Sequence, residues 1–426
     1  MTPLPRRTFL KTSAAAVATL PWIANEAQHT KASSAPKALG VTIHVREMGA
    51  TGDGKTKDTL ALQQSLDRCS LLGGGEVVLS AGEYLSGALQ IHSNTTLHIE
   101  EGATLTGSPD MQDYPLTQVR WEGKFIKGYC AFINAVDATN IRITGPGRIV
   151  GSSAIVGRLE KGTRMRLPAL LEFTNCRKVT VDNIFTKQYG MWSIHPVLSD
   201  DVTFRNVTVE SGADGIDPDS CRNVIIDNCT FTDARWACVS IGSEASGGVR
   251  NVVVEHCKIL SAYTHGVYIK TRSGRGAFIE DITFRDIDVS GCREGFLRLN
   301  SLGSGLQDQD PVPGNEGLPQ LRNLRFTDIR VQDVPQLVLA TEIHPKKPLD
   351  GLVLANISGT CRKGMEIANA IHVEIRNVTV TGFNGPLLAT RNVTGKGLAG
   401  AGELPTSSLP KIPDEILPPA TPYILK

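Results

Sequence analysis

Residues 178–183 read Lys-Val-Thr-Val-Asp-Asn, a short run in which apolar and polar residues alternate before a turn residue ends it. The pattern returns at residues 201–206, 223–228, 251–256 and 281–286, at intervals of 22 to 30 residues. Alternation with a period of two predicts a β-strand, and a return at this spacing predicts strands stacked coil upon coil. Val, Ile, Thr and Phe dominate and no 3.6-residue stripe appears, so helical repeats are excluded. The sequence therefore predicts an all-β fold, a single-stranded right-handed parallel β-helix.

Local signals complete this expected fold. Asn, Asp and Gly stand between the strand runs, where the sharp corners of a coil need left-handed backbone conformations. One helix is predicted over Leu60–Leu72, with Asp58 or Thr59 as its cap and Gly73–Gly75 ending it. We expect this N-terminal helix to close the end of the solenoid, where unpaired strand edges invite aggregation.

Three segments follow from the composition along the chain. An arginine pair, Arg6 and Arg7, precedes the apolar, Ala-rich Thr12–Ile23, so residues 1–32 are interpreted as a twin-arginine export signal and linker. A general secretion signal or a chance basic start is the alternative. The β-helix is assigned to residues 41–400, and residues 401–426 form a Pro-rich tail. The protein is expected to be periplasmic or secreted, and a monomer.

Composition excludes several classes of partner. The 44 Lys and Arg nearly balance the 43 Asp and Glu, so neither nucleic acid nor an anionic membrane surface is indicated. No later segment has 18 consecutive apolar residues, so no membrane span is expected. The nine cysteines form an odd set without a CxxC pair. Cys229 and Cys257 occupy equivalent repeat positions and are read as stacked, unpaired hydrophobic residues.

Residues 49–56 read Gly-Ala-Thr-Gly-Asp-Gly-Lys-Thr and match the phosphate-binding pattern GxxxxGK[ST]. The predicted helix begins several residues too late to point its N-terminus at a phosphate. No hydrophobic run ending in Asp follows to hold magnesium. Nucleotide binding is therefore rejected.

Several longer stretches carry a family resemblance. They include Trp192-Ser-Ile-His-Pro196, Asp214-Gly-Ile-Asp-Pro-Asp-Ser220 and Ser240-Ile-Gly-Ser-Glu244, together with residues 49–56, 73–78, 80–87, 97–108, 171–173 and 269–271. Over about residues 41 to 395 the chain resembles the polygalacturonase-like enzymes of glycoside hydrolase family 28. The resemblance implies hydrolysis of a pectin-like, uronate-containing polysaccharide with inversion, without metal or cofactor. It also implies three aspartates on adjacent coils, one as acid and two that activate water.

The motifs that should carry this chemistry are only partly kept. The family's Asn-Thr-Asp stands here as Gly212-Ala213-Asp214, and its Gly-Asp-Asp-Cys as residues 235–238, Arg-Trp-Ala-Cys. Its Arg-Ile-Lys, which holds the substrate carboxylate, stands as Tyr268-Ile269-Lys270. One coil of about 22 residues is also missing relative to the family pattern. Only Asp214 and Lys270 carry over, and both aspartates of the pair are absent.

Aligning the repeats suggests a replacement site. When Gly215, Cys238 and Gly266 are aligned, Asp214 and His265 fall in one column, two coils apart. The candidate catalytic residues are Asp214, His265 and Asp217. The candidate substrate-binding residues are Lys270, Tyr268, Trp236, Glu244, Trp192, His195, Asp219 and Arg272.

Structural explanations stand beside these roles. As an alternative to catalysis or binding, Asp217 and Asp219 would hydrogen-bond the backbone of a turn. His265 would then be an ordinary surface histidine. Trp192 and His195 would pack within the wall of the solenoid. Lys270, Arg272 and Arg275 would form a solvent-exposed basic surface.

A glycoside hydrolase is the favoured interpretation. A carbohydrate-binding relative without activity, a lyase with calcium at Asp217 and Asp219, and a structural solenoid are the alternatives. A purely structural solenoid predicts no concentration of polar residues at 214–275.

Overall fold

The computed structural model describes residues 40–412 and 415–418. Almost all strands pair in parallel with strands one coil away, which is the arrangement of a parallel β-helix. The largest sheet contains β1 Val41–His44, β2 Asp53–Lys57, β3 Gly75–Leu79, β4 Gly82–Ser86, β6 Thr95–Ile99, β7 Ala103–Gly107, β11 Thr139–Thr144, β12 Arg148–Val150, β14 Arg177–Asp182, β15 Phe185–Lys187, β17 Asp200–Arg205, β18 Thr208–Ser211, β19 Arg222–Asp227, β20 Thr230–Ala234, β21 Val239–Ile241, β22 Val249–Ile259, β23 His265–Lys270, β24 Phe278–Val289, β25 Gly295–Asn300, β26 Gln320–Glu342, β27 Leu349–Thr381, β28 Leu388–Lys396 and β29 Gly402–Glu403.

Two smaller sheets and the helices complete the element list. A four-stranded parallel sheet holds β5 Leu89–Gln90, β10 Ile133–Val136, β13 Leu171–Thr174 and β16 Ile194–Val197. An antiparallel hairpin holds β8 Leu116–Trp121 and β9 Lys124–Tyr129. The α-helix α1 is Thr59–Leu71, and short 3₁₀ turns occupy Val45–Met48, Met111–Asp113, Gly314–Gly317 and Thr406–Ser408.

The repeated motif that predicts the fold also fixes its register. Val179 of β14 pairs with Val202, Val202 with Val224, and Val224 with Val252 on successive coils. Side chains at alternate positions point into the solenoid and form one continuous apolar core. Within it Phe284 and Phe326 stack with ring centres 5.1 Å apart. Each coil thus covers the apolar face of its neighbour, which a single coil cannot do alone.

Asparagine forms the predicted corners. Asn183, Asn206 and Asn228 have left-handed backbones, with φ of 56°, 55° and 52°. The Asn206 amide donates to the Asn183 side chain at 2.8 Å, and the Asn228 amide donates to Asn206 at 2.7 Å. This ladder satisfies polar groups at the corner while the coils stack.

The helix lies at the N-terminal end of the coils, where Leu62, Leu66 and Cys69 are buried in the core. It begins one residue earlier than predicted, and Asp58 occupies the predicted N-cap position without a side-chain capping hydrogen bond. The Asp58 carboxylate instead accepts the backbone N–H groups of Thr51 at 2.7 Å and Gly52 at 3.0 Å.

Two carboxylates explain why residues 49–56 do not form a phosphate site. Asp58 accepts the N–H groups of Thr51 and Gly52, and Asp53 accepts those of Lys55 and Thr56, both at 2.8 Å. These carboxylates occupy the amides that a phosphate would need.

All nine cysteines are buried and unpaired, which includes Cys229 and Cys257 as predicted. Burial raises the pKa of Cys292 to about 12, which is typical of an inert thiol. Within the described ranges, no helix combines the length and the apolar character needed to cross a bilayer. The predicted export signal lies outside the described residues, and the export route, the monomeric state and the absence of a nucleic-acid partner stay predictions.

Candidate active site

A cavity of about 260 Å³ opens on the side of the coils that carries Asp214. Strand β23 supplies Tyr268 and Lys270, and the turn of the β8–β9 hairpin supplies Glu122. The loop after β25 contributes residues 304–306. The lining residues are Glu122, Arg158, Trp192, Ala213, Asp214, Trp236, Ser243, Glu244, Tyr268, Lys270, Ser304, Gly305 and Leu306.

Asp214 is held by a charged partner and a backbone amide. The Lys270 ammonium lies 2.9 Å from Asp214 Oδ2, and Asp214 Oδ1 accepts the N–H of Ala237 at 3.0 Å. Burial disfavours the charge on Lys270, but the carboxylates of Asp214, Asp217 and Glu244 outweigh it and raise its pKa. This pair places a fixed carboxylate oxygen at the cavity wall.

A second acidic cluster lines the same cavity. The Ser243 hydroxyl lies 3.1 Å from Glu122 Oε2 and 3.5 Å from Glu244 Oε2. Arg275 pairs with Glu122 at 3.4 Å and with Asp308 at 3.1 Å. Burial, and then the charge of Glu122, raise the pKa of Glu244, although Lys270 and Arg275 oppose them. Glu244 therefore holds its proton at higher pH than an ordinary glutamate.

Asp217 does not reach the cavity, contrary to its predicted catalytic role. Its side chain is fully buried, and neither carboxylate oxygen has a hydrogen-bond partner. Burial, followed by the charges of Glu244 and Asp214, raises its pKa well above the ordinary value. These surroundings favour the neutral form of the Asp217 carboxyl.

Asp219 and His195 are also inaccessible to a substrate, because both side chains are fully buried. Arg120 covers Asp219, with Nε 2.7 Å from Oδ2. His195 Nδ1 donates to Glu172 Oε2 at 2.9 Å, and the His195 ring packs against Trp192, with ring centres 4.1 Å apart. Both residues thus support the wall that carries Trp192 instead of binding substrate.

His265 occupies the predicted register, two coils from Asp214, but lines neither of the two cavities described for this face. Its Nδ1 lies 3.2 Å from Glu294, and its ring centre lies 6.1 Å from that of Tyr268. Burial, and secondarily the charge of Arg298, lowers its pKa to about 4. His265 is therefore neutral near pH 7.

Arg272 acts on the loop above the cavity. Its guanidinium donates to the Gly305 carbonyl at 2.5 Å and to Gln307 at 2.7 Å. It is not among the residues that line the cavity. Arg272 thus contacts the loop that contributes residues 304–306 to the cavity.

A second cavity of about 470 Å³ adjoins the first and shares Trp236 and Arg158 with it. Trp236 and Tyr263 are 39% and 38% exposed there, so both present ring surface to solvent. Arg158 lies 4.8 Å from the Trp236 ring centre, and Arg293 lies 3.6 Å from that of Tyr263. Aromatic faces beside cationic groups are suited to an acidic sugar chain.

The β-helix and its cavity agree with a comparison between the sequence and known protein families. The profile of the family described as "Rhamnogalacturonase A/epimerase, pectate lyase-like" matches residues 42–268, which is more than half of the chain. The chain belongs to the rhamnogalacturonase A/epimerase family.

Individual relatives of the chain are named as polygalacturonases. A probable polygalacturonase of Vitis vinifera is 24% identical, covering 73% of this chain and 73% of the relative. An endo-polygalacturonase of Pectobacterium carotovorum is 25% identical, covering 76% and 87% respectively. The solved exopolygalacturonase of Thermotoga maritima is 23% identical, with a TM-score of 0.63 over 82% of this chain and 93% of that one. These findings confirm the resemblance to polygalacturonases and the right-handed β-helix.

The sequence patterns did not identify Glu122 or Arg158 as site residues. They also did not predict that Arg275 pairs with Glu122 and Asp308. Glu122 sits on a hairpin outside the repeat, so no column alignment could place it beside Glu244. The structure brings together Asp214, Lys270, Tyr268, Trp236, Glu244 and Trp192 of the predicted set. It leaves Asp217, Asp219, His195, His265 and Arg272 outside that cavity.

Proposed function

We propose that this protein is a glycoside hydrolase that cleaves a pectin-like, uronate-containing polysaccharide. The observation that carries the proposal is the Asp214–Lys270 pair, 2.9 Å apart in a cavity on the face of the β-helix. A fixed carboxylate can take a proton from water, and nearby cations favour a substrate that carries carboxylates. The relatives named polygalacturonases support the same substrate class.

Asp214 is proposed as the base, and the reaction is proposed to invert the anomeric centre. An inverting mechanism needs room for water between base and sugar, with the acid on the opposite side of the bond. The exposed Trp236 offers a ring face along the cavity wall, which also includes the buried Trp192, and Arg158 lines both cavities with a positive charge. We further propose that the protein is exported, where such polysaccharides are available.

Product analysis tests the function. Purified protein incubated with polygalacturonate and defined pectin oligosaccharides should release reducing ends without forming an ultraviolet-absorbing unsaturated product. A chelator should leave this activity intact, and NMR of the first product should show the inverted anomer. An unsaturated product that disappears with chelator would instead establish a lyase. Binding without any product would establish the non-cleaving relative, which the loss of both paired aspartates favours.

Trp236 should control affinity for longer substrates. Replacing Trp236 by Ala removes a 39% exposed ring shared by both cavities, so KM for oligogalacturonides should rise about 10-fold with little change in kcat. Steady-state kinetics over a series of chain lengths measures this. Ile225→Ala, at a 37% exposed position on β19 outside both cavities, is the control and should leave KM unchanged. An equal effect on the shortest and longest substrates would argue against an extended binding surface.

A further inference from the structure

The missing aspartate pair leaves the proposed hydrolase without an obvious proton donor. A general acid must reach the glycosidic oxygen, so it must line the cavity. Three carboxyl groups do so in the described structure, those of Glu122, Asp214 and Glu244. Their partners distinguish them.

Two of these carboxyl groups are engaged by cations. Asp214 is paired with Lys270 at 2.9 Å, and Glu122 with Arg275 at 3.4 Å. Among the described residues, no ion pair joins Glu244 to a Lys, Arg or His nitrogen within 4.0 Å. Glu244 is nonetheless only 3% exposed, and its Oε2 lies 3.5 Å from the Ser243 hydroxyl. A buried carboxyl without a cation partner, beside a second carboxylate, is best accommodated in its neutral form.

We propose that Glu244 is the general acid of this enzyme and that Glu122, through Ser243, keeps it protonated. This inference rests on the proposed hydrolase function and adds a catalytic residue to it. Glu244 follows β21 on the coil after Asp214, so the acid and base come from adjacent coils. The two groups also differ in their surroundings, since one faces Lys270 and the other faces Glu122. Carboxyls in such contrasting environments can divide the acid and base roles.

The step balances without any further reactant. Glu244 transfers its proton to the glycosidic oxygen as the bond from that oxygen to the anomeric carbon breaks. A water molecule forms the new bond to the anomeric carbon and gives its proton to Asp214. One saccharide leaves with the proton from Glu244, and the other keeps the hydroxyl derived from water. Exchange of a proton with solvent then restores both carboxyl groups.

The pKa of Glu244 sets the direction of the pH dependence. Burial and the charge of Glu122 raise this pKa, so the active, protonated form persists to higher pH than for an ordinary glutamate. Activity should fall as the pH rises through the pKa of Glu244, because the proton donor is lost. Removing the negative charge of Glu122 should move that fall to lower pH.

The decisive variant is Glu244→Gln, which keeps the shape and removes the proton donor. Its kcat/KM on polygalacturonate should fall about 10²-fold, and the alkaline fall of the pH profile should disappear. On an oligogalacturonide with a nitrophenolate leaving group, which needs little protonation, the loss should stay within about 5-fold. Equal losses on both substrates, or an unchanged pH profile, would overturn the assignment. Glu83→Gln, at an exposed position on β4, is the control and should match the wild type.

Glu122→Gln provides a second, independent measurement. The alkaline limb of its kcat/KM profile should lie at lower pH than that of the wild type, because Glu244 loses a negative neighbour. A limb that stays in place or moves to higher pH would contradict the proposal even if Glu244→Gln failed to fold. A wild-type protein that releases no reducing ends would reject the hydrolase itself. An active wild type with an equally active Glu244→Gln variant would reject only this inference.

Discussion

Replacing Asp214 by Asn is expected to lower kcat/KM on polygalacturonate on the order of 10³-fold. The amide cannot accept a proton from water, and Lys270 loses the carboxylate that lies 2.9 Å from its ammonium. The effect should fall mainly on kcat, because the lost interaction matters most when the proton moves. Initial rates of reducing-end release, measured beside thermal unfolding of the same samples, separate a chemical loss from a folding defect.

Asp201→Asn is the matched control for this change. Asp201 is exposed at the start of β17, where it accepts the amide of Asn223 at 2.9 Å outside the cavity. Its replacement should leave kcat/KM within about 2-fold of the wild type. If Asp214→Asn retained wild-type turnover, Asp214 could not be the base, whatever its position in the cavity.

The fold could be predicted because its signal is local and repeated. The alternation at residues 178–183 predicts a β-strand, and its later copies predict that the strands stack, since no coil can bury its apolar face alone. The register followed as well, because Ile216, Val239 and Val267 pair across successive coils as the alignment requires. Regular hydrophobic pairing leaves little freedom in such a sheet.

The site was less predictable because the repeat does not describe what covers it. Alternation along a strand puts residues two apart, such as Asp217 and Asp219, on one side of the coil, but it cannot show whether that side meets solvent. The β8–β9 hairpin lies outside the repeat and brings Arg120 onto Asp219, which closes that position to substrate. The same hairpin brings Glu122 to Ser243, 121 residues away in the sequence. Contacts of this kind depend on the path of a long insertion, which carries no periodic signal.

The buried network below Trp192 should be essential for stability. Arg166 is fully buried and pairs with Glu172 at 2.5 Å, while His195 contacts Glu172 at 2.9 Å. Replacing Glu172 by Gln keeps the size but leaves the Arg166 charge without its anion. The free energy of unfolding should fall by about 3–5 kcal/mol, as is usual when one partner of a buried pair is removed. Urea unfolding followed by tryptophan fluorescence measures this, since Trp192 lies against the network.

The pH dependence of that stability has a definite sign. Burial opposes the charge on Glu172, but Arg166 and His195 outweigh it and lower its pKa from 4.5 to about 2. The ionised form thus stabilises the fold above the unfolded pKa, and this contribution is lost as the pH falls from about 4.5 towards 2. The Glu172→Gln variant should lack this component, so the stability gap to the wild type should narrow in acid. Asp333→Asn breaks an ion pair with Arg362 whose side chains are 67% and 65% exposed, and it should lower the free energy of unfolding far less than Glu172→Gln does. Equal costs for the two substitutions would mean that Glu172 holds Arg166 no more tightly than a solvated surface pair does.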